Sequence, residues 1–370
     1  MNANVGISFL PIVIDPHSPL EEEKLIIGEL DTEARVVLVA EIGNNHEGSL
    51  SVAKELIVEA GNSGADAVKF QTFRTEDFVS TADMERYDRL KSFELSIDEF
   101  AELSVHARDL GLAFLSTPLD LRSVEGLTPL VDAFKVASGD NDFVSLLRSV
   151  CATEKPLVVS TGLTDLELCK RIAELVHREW EGRGHQGELT LLHCVSAYPT
   201  PMEFANIRAV SSMQSIPGCE TGYSDHTIGI TACLGAVALG ARIIEKHFTL
   251  DKEYSSFRDH QISADPTEMR KLAGAIRDME EVLGDGRKNV ASCEREAANL
   301  IRRSIVAARD LPKGHRLELD DLSWLRPRGG LLPGQEDLLI GHCTIRAVKR
   351  GEPFTEEMIQ SRSTAHRSDC

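Results

Sequence analysis

Two histidines, a glutamate and a lysine are the residues of this chain best suited to making and breaking bonds. His226 ends the run Tyr223-Ser224-Asp225-His226, His247 ends Glu245-Lys246-His247, and Glu41 sits in Ala40-Glu41-Ile42-Gly43-Asn44-Asn45-His46. Two imidazoles and a carboxylate with open coordination positions suit a divalent ion such as Mn²⁺, Fe²⁺ or Zn²⁺. Taken singly, each histidine can instead hydrogen-bond a neighbouring strand. Lys69 stands in Val68-Lys69-Phe70-Gln71, an apolar context where an unpaired ammonium is costly, so it needs an anion. Thr117, Ser138, Ser160 and Ser224 can surround the same anion with neutral donors, although a lone Ser or Thr is also an ordinary turn or helix-cap residue. For Lys135 and Lys246, an internal ion pair with Glu245 or Asp140 competes with a substrate contact. His46 can act as a donor or proton shuttle, and Cys194 has no evident activating neighbour.

These residues share one position relative to the elements that must carry them. Short β-branched runs are predicted at 36–41, 67–71, 113–117, 134–138, 157–160, 190–194, 221–224 and 242–246. Amphipathic segments at 51–62, 97–110, 165–176, 229–239 and 266–283 alternate with them, several closed by Gly64, Gly111, Gly240 or Gly284. Eight strand–helix units over about 250 residues predict a closed (β/α)₈ TIM barrel. An open doubly wound sheet is the weaker reading, because no GxGxxG follows the first strand. Polar and titratable residues gather at the C-terminal ends of all eight strands, where barrel enzymes build their sites.

Composition narrows the ligand class. The 370 residues carry 40 Lys and Arg against 59 Asp and Glu, a formal net charge of −19. Such a surface repels phosphate backbones and anionic lipid heads, so neither a nucleic-acid nor a membrane partner is expected. Any anionic ligand must find its positive charge inside a pocket. The eight cysteines show no CxxC pair and read as reduced buried thiols, and no signal sequence or long apolar run is present, so a cytoplasmic protein is expected. The domains expected are a leader over 1–35, the barrel over 36–286, a polar linker over 287–300, a small loop-rich module over 301–361 and a disordered tail over 362–370.

Long ordered motifs then carry a resemblance. Ala40-Glu41-Ile42-Gly43-Asn44-Asn45-His46-Glu47-Gly48, Val68-Lys69-Phe70-Gln71-Thr72, Leu115-Ser116-Thr117-Pro118, Leu192-His193-Cys194 with Tyr198-Pro199-Thr200-Pro201, Tyr223-Ser224-Asp225-His226-Thr227 and Glu245-Lys246-His247-Phe248-Thr249 together resemble the N-acetylneuraminate (sialic acid) synthase family. Arg302-Arg303-Ser304-Ile305-Val306-Ala307 through Trp324-Leu325-Arg326-Pro327 resembles the β-rich antifreeze-like (SAF) domain that follows the barrel there. The resemblance implies a carbon–carbon bond-forming transferase. It condenses phosphoenolpyruvate with an open-chain amino sugar, N-acetylmannosamine or a relative, and releases phosphate and a nine-carbon 2-keto-3-deoxy acid.

By the same resemblance, His226 and His247 hold the metal, Mn²⁺ first and Mg²⁺ or Co²⁺ as substitutes, and Glu41 and Lys69 complete the catalytic set. Lys69, Thr117, Ser138, Ser160, Ser196 and Ser224 bind phosphoenolpyruvate, while Gln71, Asp140, Tyr198, Asp259 and Arg326 face the sugar. Arg326 reaches its site across a domain-swapped homodimer. Ser196 stands where Asn is usual in the bacterial sialate synthases, and Asp140 where Glu is usual. The rival readings are the same chemistry on another aldose, legionaminate- or pseudaminate-type, a pentose phosphate or a specialised-metabolite sugar, and an idle glycan-binding barrel. A phosphorylated sugar requires a further basic cluster at the barrel mouth.

Overall fold

The computed structural model describes residues 26–359. The tail expected at 362–370 and the first 25 residues of the expected leader lie outside them. Two compact units divide between Gly284 and Asp285. In the first, a hairpin of β1 (Ile26–Ile27) and β2 (Leu30–Asp31) precedes eight parallel strands. These are β3 (Val37–Gly43), β4 (Ala67–Thr72), β5 (Ala113–Pro118), β6 (Ala133–Val136), β7 (Leu157–Ser160), β8 (Leu189–Cys194), β9 (Cys219–Asp225) and β10 (Ile243–His247). They close into a barrel in chain order, with β10 pairing β3. The sequence-predicted strands recur within three residues at either end.

Helices cross between the strands, and their starts follow from side-chain caps. Ser49 accepts from Val52 N before Leu50–Asn62, Ser96 and Glu99 form a capping box before Ile97–Asp109, and Asp265 caps Pro266–Leu283. Each such cap satisfies amides that the first helical turn leaves free. Gly64, Gly111 and Gly240 end helices at φ of 86°, 75° and 95°, the left-handed turn that stops a helix.

Strand period decides which side chains meet inside the barrel. Leu38, Ala40, Val68, Phe70, Phe114, Phe134, Val136 and Ile244 point outward and join the helices in the larger apolar core. Val37, Val39, Ala67, Ala113, Leu115, Ala133, Val158, Leu192 and Ile243 point inward as a second core, which Ile27 of the hairpin closes. Complete burial of Ile27 contributes roughly 2 kcal/mol by apolar area. The sequence reading left the hairpin as undifferentiated leader, because two-residue strands are too short to show alternation. Above the inner apolar layer, the next inward positions are Glu41, Lys69, Thr117, Lys135, Ser160, Ser224 and Glu245, so one parity rule carries these polar groups into the same space. Gly222 lets the inner layer close: a Cβ there would lie 2.4 Å from Leu192 Cδ2 and 2.6 Å from the Ile243 carbonyl.

The second unit pairs β11 (Ser304–Ala307) antiparallel with β12 (Leu322–Leu325). Its small core joins Ile305, Leu311, Leu317, Leu331, Leu339, Val348 and Phe354. The helix Arg295–Ile301 begins in the span expected as linker and ends one residue beyond it. Cys343 is disulfide-bonded, Cys219 is half-buried and Cys293 is exposed, which corrects the expectation of eight reduced, buried thiols. Sequence spacing carries no information about which distant sulfurs meet. No helix among the described residues is long and apolar enough to cross a membrane.

Candidate active site

The C-terminal mouth of the barrel opens on a cavity of about 670 Å³, within the size range of small-ligand sites. Its deepest charged groups form a buried chain of alternating sign. Lys69 Nζ lies 3.0 Å from Glu41 Oε2 and 3.4 Å from Glu245 Oε2, and Lys135 Nζ lies 3.3 Å from Glu245 Oε1. Strand register builds this: Glu41 stands opposite Lys69 on one side and His247 on the other, and Glu245 stands opposite Ser224. A register shift between Glu41 and Gly43 marks a bulge where the carboxylate enters the site.

The two carboxylates are pushed in opposite directions. Burial raises the Glu41 pKa above the usual carboxylate range, with Lys69 opposing it. For Glu245 burial also acts upward, but Lys135 and Lys69 outweigh it and hold the group at about 2, with Ser224 Oγ donating at 2.9 Å. Burial lowers the Lys135 pKa, while for Lys69 two carboxylates overcome burial and raise it. Glu245 is thus a fixed anion, and Glu41 is the carboxyl placed to exchange a proton.

Two imidazoles stand beside this floor, with ring centroids 5.3 Å apart. His226 Nδ1 lies 2.8 Å from the Val195 carbonyl; a carbonyl only accepts, so Nδ1 carries a proton, and although burial acts downward, Cys194 and the Val195 carbonyl raise the His226 pKa. His247 is held neutral, its pKa lowered to about 3 chiefly by burial, and its Nδ1 has no hydrogen-bond partner among the described residues. Tyr198 covers His226 at 4.1 Å, and the Arg258 guanidinium stacks on Tyr198 at 4.9 Å. Arg258 also pairs with Asp259 at 3.3 Å. Glu47 accepts from Ser255 Oγ and lies 3.1 Å from His260 Nε2, which ties the segment carrying Arg258 and Asp259 to the loop after β3.

Residues 56–288 match the NeuB family and residues 302–360 the SAF domain. The chain belongs to the NeuB family. It is 39% identical to the N,N'-diacetyllegionaminic acid synthase of Legionella pneumophila, over 88% of this chain and 94% of that one. With the N-acetylneuraminate-9-phosphate synthase of Mus musculus the identity is 32%, over 88% and 93%. The crystal structure of the N-acetylneuraminic acid synthetase from Leptospira borgpetersenii in complex with citrate superimposes with a TM-score of 0.69 at 30% identity, covering 74% of this chain and 95% of that one.

In this NeuB-family barrel, the cavity lining includes Glu41, Lys69, Gln71, Ser138, Ser160, Tyr198, Ser224, His226, His247 and Asp259. Three expected residues stand elsewhere. Thr117 lies behind Lys69 and accepts from its Nζ at 3.3 Å; Ser196 lines a neighbouring cavity; and Asp140, half-buried in the turn after β6, does not line the main one. Arg326 belongs to the second unit, exposed just after β12. Among the described residues no three His, Cys, Asp or Glu side chains are arranged to hold a metal. The Glu41 carboxylate, expected beside the two histidines, is instead paired with Lys69. The imidazoles alone fit a divalent ion that takes its other ligands from substrate and water, since the Val195 carbonyl occupies His226 Nδ1 and leaves Nε2 as its ligating atom, and His247 Nδ1 is buried without a hydrogen-bond partner among the described residues.

Glu245, Lys135, Glu47, Arg86, Arg89 and Arg258 also line the cavity. Strand parity identifies the first two, since Glu245 shares the face of His247. Lys246 has the opposite parity and pairs with Asp225 at 2.7 Å behind the sheet. Cys194 is less isolated than expected: its Sγ lies 3.7 Å from His226 Nδ1, and although burial opposes thiolate formation, His226 lowers the thiol below its ordinary value.

His46 lies outside the cavity lining. Its Nδ1 accepts from Gly48 N at 3.0 Å, and burial lowers its pKa from 6.5 to about 4. A pKa depressed by folding gives stability that is complete above pH 6.5 and is lost as pH falls through 4. The amount is of the order of 3 kcal/mol. His46→Gln is therefore expected to flatten the fall of unfolding free energy between pH 6.5 and 4, measured by urea titration at several pH values. An unchanged slope would assign the acid sensitivity to other groups.

Proposed function

We propose that the chain condenses phosphoenolpyruvate with the aldehyde of an open-chain N-acylhexosamine, N-acetylmannosamine or a close relative. The enol carbon bonds the aldehyde carbon, the aldehyde oxygen takes a proton, and water adds to the former enol-ether carbon. Phosphate leaves that carbon, and the product is a nine-carbon 2-keto-3-deoxy acid. One observation carries the reading: a buried Glu41–Lys69–Glu245–Lys135 chain lies beside hydroxyls and paired imidazoles at the mouth of a NeuB-family barrel.

Lys69 and Lys135 supply positive charge to the phosphoenolpyruvate, and Ser138, Ser160 and Ser224 supply donors. Ser160 Oγ is buried without a hydrogen-bond partner among the described residues, free to donate to an anion. Thr117 positions Lys69 instead of binding substrate. Glu41, with its raised pKa, takes the proton of the attacking water. Gln71, Tyr198 and Asp259 orient the sugar so that its aldehyde faces the enol carbon, where positioning contributes much of the rate. A divalent ion, Mn²⁺ in our reading, held by His226 and His247 would polarise the aldehyde oxygen as a Lewis acid. A homodimer in which Arg326 acts in trans is likewise our proposal and rests on the family resemblance.

Phosphate release from phosphoenolpyruvate, followed across a panel of aldoses with Mn²⁺, tests the reading. Release is expected only with N-acylhexosamines, and chelation or His226→Ala is expected to abolish it. In the same assay, mixed Arg326→Ala and Lys69→Ala chains should recover activity that neither has alone. No release with any aldose would overturn the synthase reading. No recovery in verified heterodimers would overturn action in trans.

A further inference from the structure

The helix Met84–Phe93 is inserted between β4 and the helix Ile97–Asp109. Leu90 and Phe93 anchor it in an apolar cluster with Phe73, Val79 and Leu119 at the barrel mouth, and a Gly48 Cβ would lie 2.1 Å from the Ser92 carbonyl, so the loop after β3 presses on its end. Arg86 and Arg89, three residues apart and therefore on one face, both line the cavity. Both are exposed, and neither forms an ion pair among the described residues; Arg86 rests over the Phe78 ring at 5.7 Å. The other cavity charges are already committed. Glu41 and Glu245 offset Lys69 and Lys135, Asp259 pairs with Arg258, and Glu47 is held by Ser255 and His260. Five cationic side chains and four carboxylates line the cavity, so in a chain of net charge −19 the two unpaired guanidiniums tip this mouth to a positive balance.

We propose that Arg86 and Arg89 form a subsite for a phosphate monoester on the acceptor sugar, at the end remote from its aldehyde. This rests on the condensation reading above. The buried floor takes the reacting carbons, so the far end of an extended aldose points toward the mouth. Two guanidiniums match the charge of a phosphate dianion and bind it through paired N–H donors, whereas a neutral sugar leaves both without a counter-charge.

The test compares N-acetylmannosamine with its 6-phosphate, in the wild-type chain and in Arg86→Ala/Arg89→Ala, by phosphoenolpyruvate-dependent kinetics with Mn²⁺ and by calorimetric binding of each sugar. The wild type is expected to favour the 6-phosphate by about tenfold or more in kcat/KM. The variant should lose that preference through KM for the phosphorylated sugar, with KM for phosphoenolpyruvate within about threefold. Equal kcat/KM for both sugars in the wild type would overturn the proposal, as would a variant whose defect falls on phosphoenolpyruvate. Should neither sugar turn over, the condensation reading fails and calorimetry decides the subsite. Tighter binding of the 6-phosphate that the variant loses would support it, and equal or absent binding would overturn it.

Discussion

Glu41→Gln is expected to lower kcat for phosphate release by about 10²–10⁴-fold while leaving KM for phosphoenolpyruvate within about threefold. The substitution preserves shape. Gln71 Nε2 donates to Glu41 Oε1 at 3.2 Å and is itself held by Asn44, which donates to Gln71 Oε1 at 2.8 Å. An amide at position 41 can accept the same bond. Lys69 retains Glu245 at 3.4 Å, so its ammonium stays compensated and available to the anionic substrate. What the amide cannot do is take a proton from water. A residue that only helped to bind substrate would show its loss in KM, whereas one acting in the chemical step shows it in kcat. Steady-state kinetics with calorimetric binding of phosphoenolpyruvate separates the two. A kcat loss under tenfold, or a defect confined to KM, would remove Glu41 from the proton-transfer role.

Much of this arrangement was legible in the sequence because a parallel barrel obeys two short-range rules. Alternation along each strand separates Leu38 and Ala40 from Val39 and Glu41, and C-terminal strand ends face one mouth, so Glu41, Lys69, His226 and His247 could be placed in one space before any geometry was known. What escaped depended on longer-range facts. Thr117 has inward parity, yet its hydroxyl is taken by Lys69 from the neighbouring strand, a pairing that register decides and composition does not. Asp140 sits past the end of β6, where alternation no longer predicts direction. Arg86 and Arg89 read as ordinary polar residues of a surface helix, and only the apolar contacts of Leu90 and Phe93 turn that helix over the cavity. Ile27 was hidden for a related reason: the inner core that it closes is made from residues of seven different strands.

Glu245 yields the largest expected effect on stability. Its carboxylate lies between two buried ammoniums, and Glu245→Gln leaves Lys135 without its ion partner at 3.3 Å while Lys69 keeps Glu41. An uncompensated buried charge costs about 3–5 kcal/mol, and the Lys135 pKa, already lowered by burial, shows that this ammonium depends on its neighbour. Removing the stranded cation should reverse most of the loss, since replacing both members of a buried pair with neutral groups is often close to neutral. The double variant Glu245→Gln/Lys135→Met is thus expected to be more stable than Glu245→Gln alone, by urea denaturation at pH 7. Lys135→Met alone should cost little, because Glu245 keeps Lys69 and Ser224. This ordering differs from that of a packing defect, in which a second core substitution adds to the first. A double variant no more stable than Glu245→Gln would mean that the carboxylate holds the barrel by shape and hydrogen bonding, and that charge balance on the cavity floor is not what stabilises it.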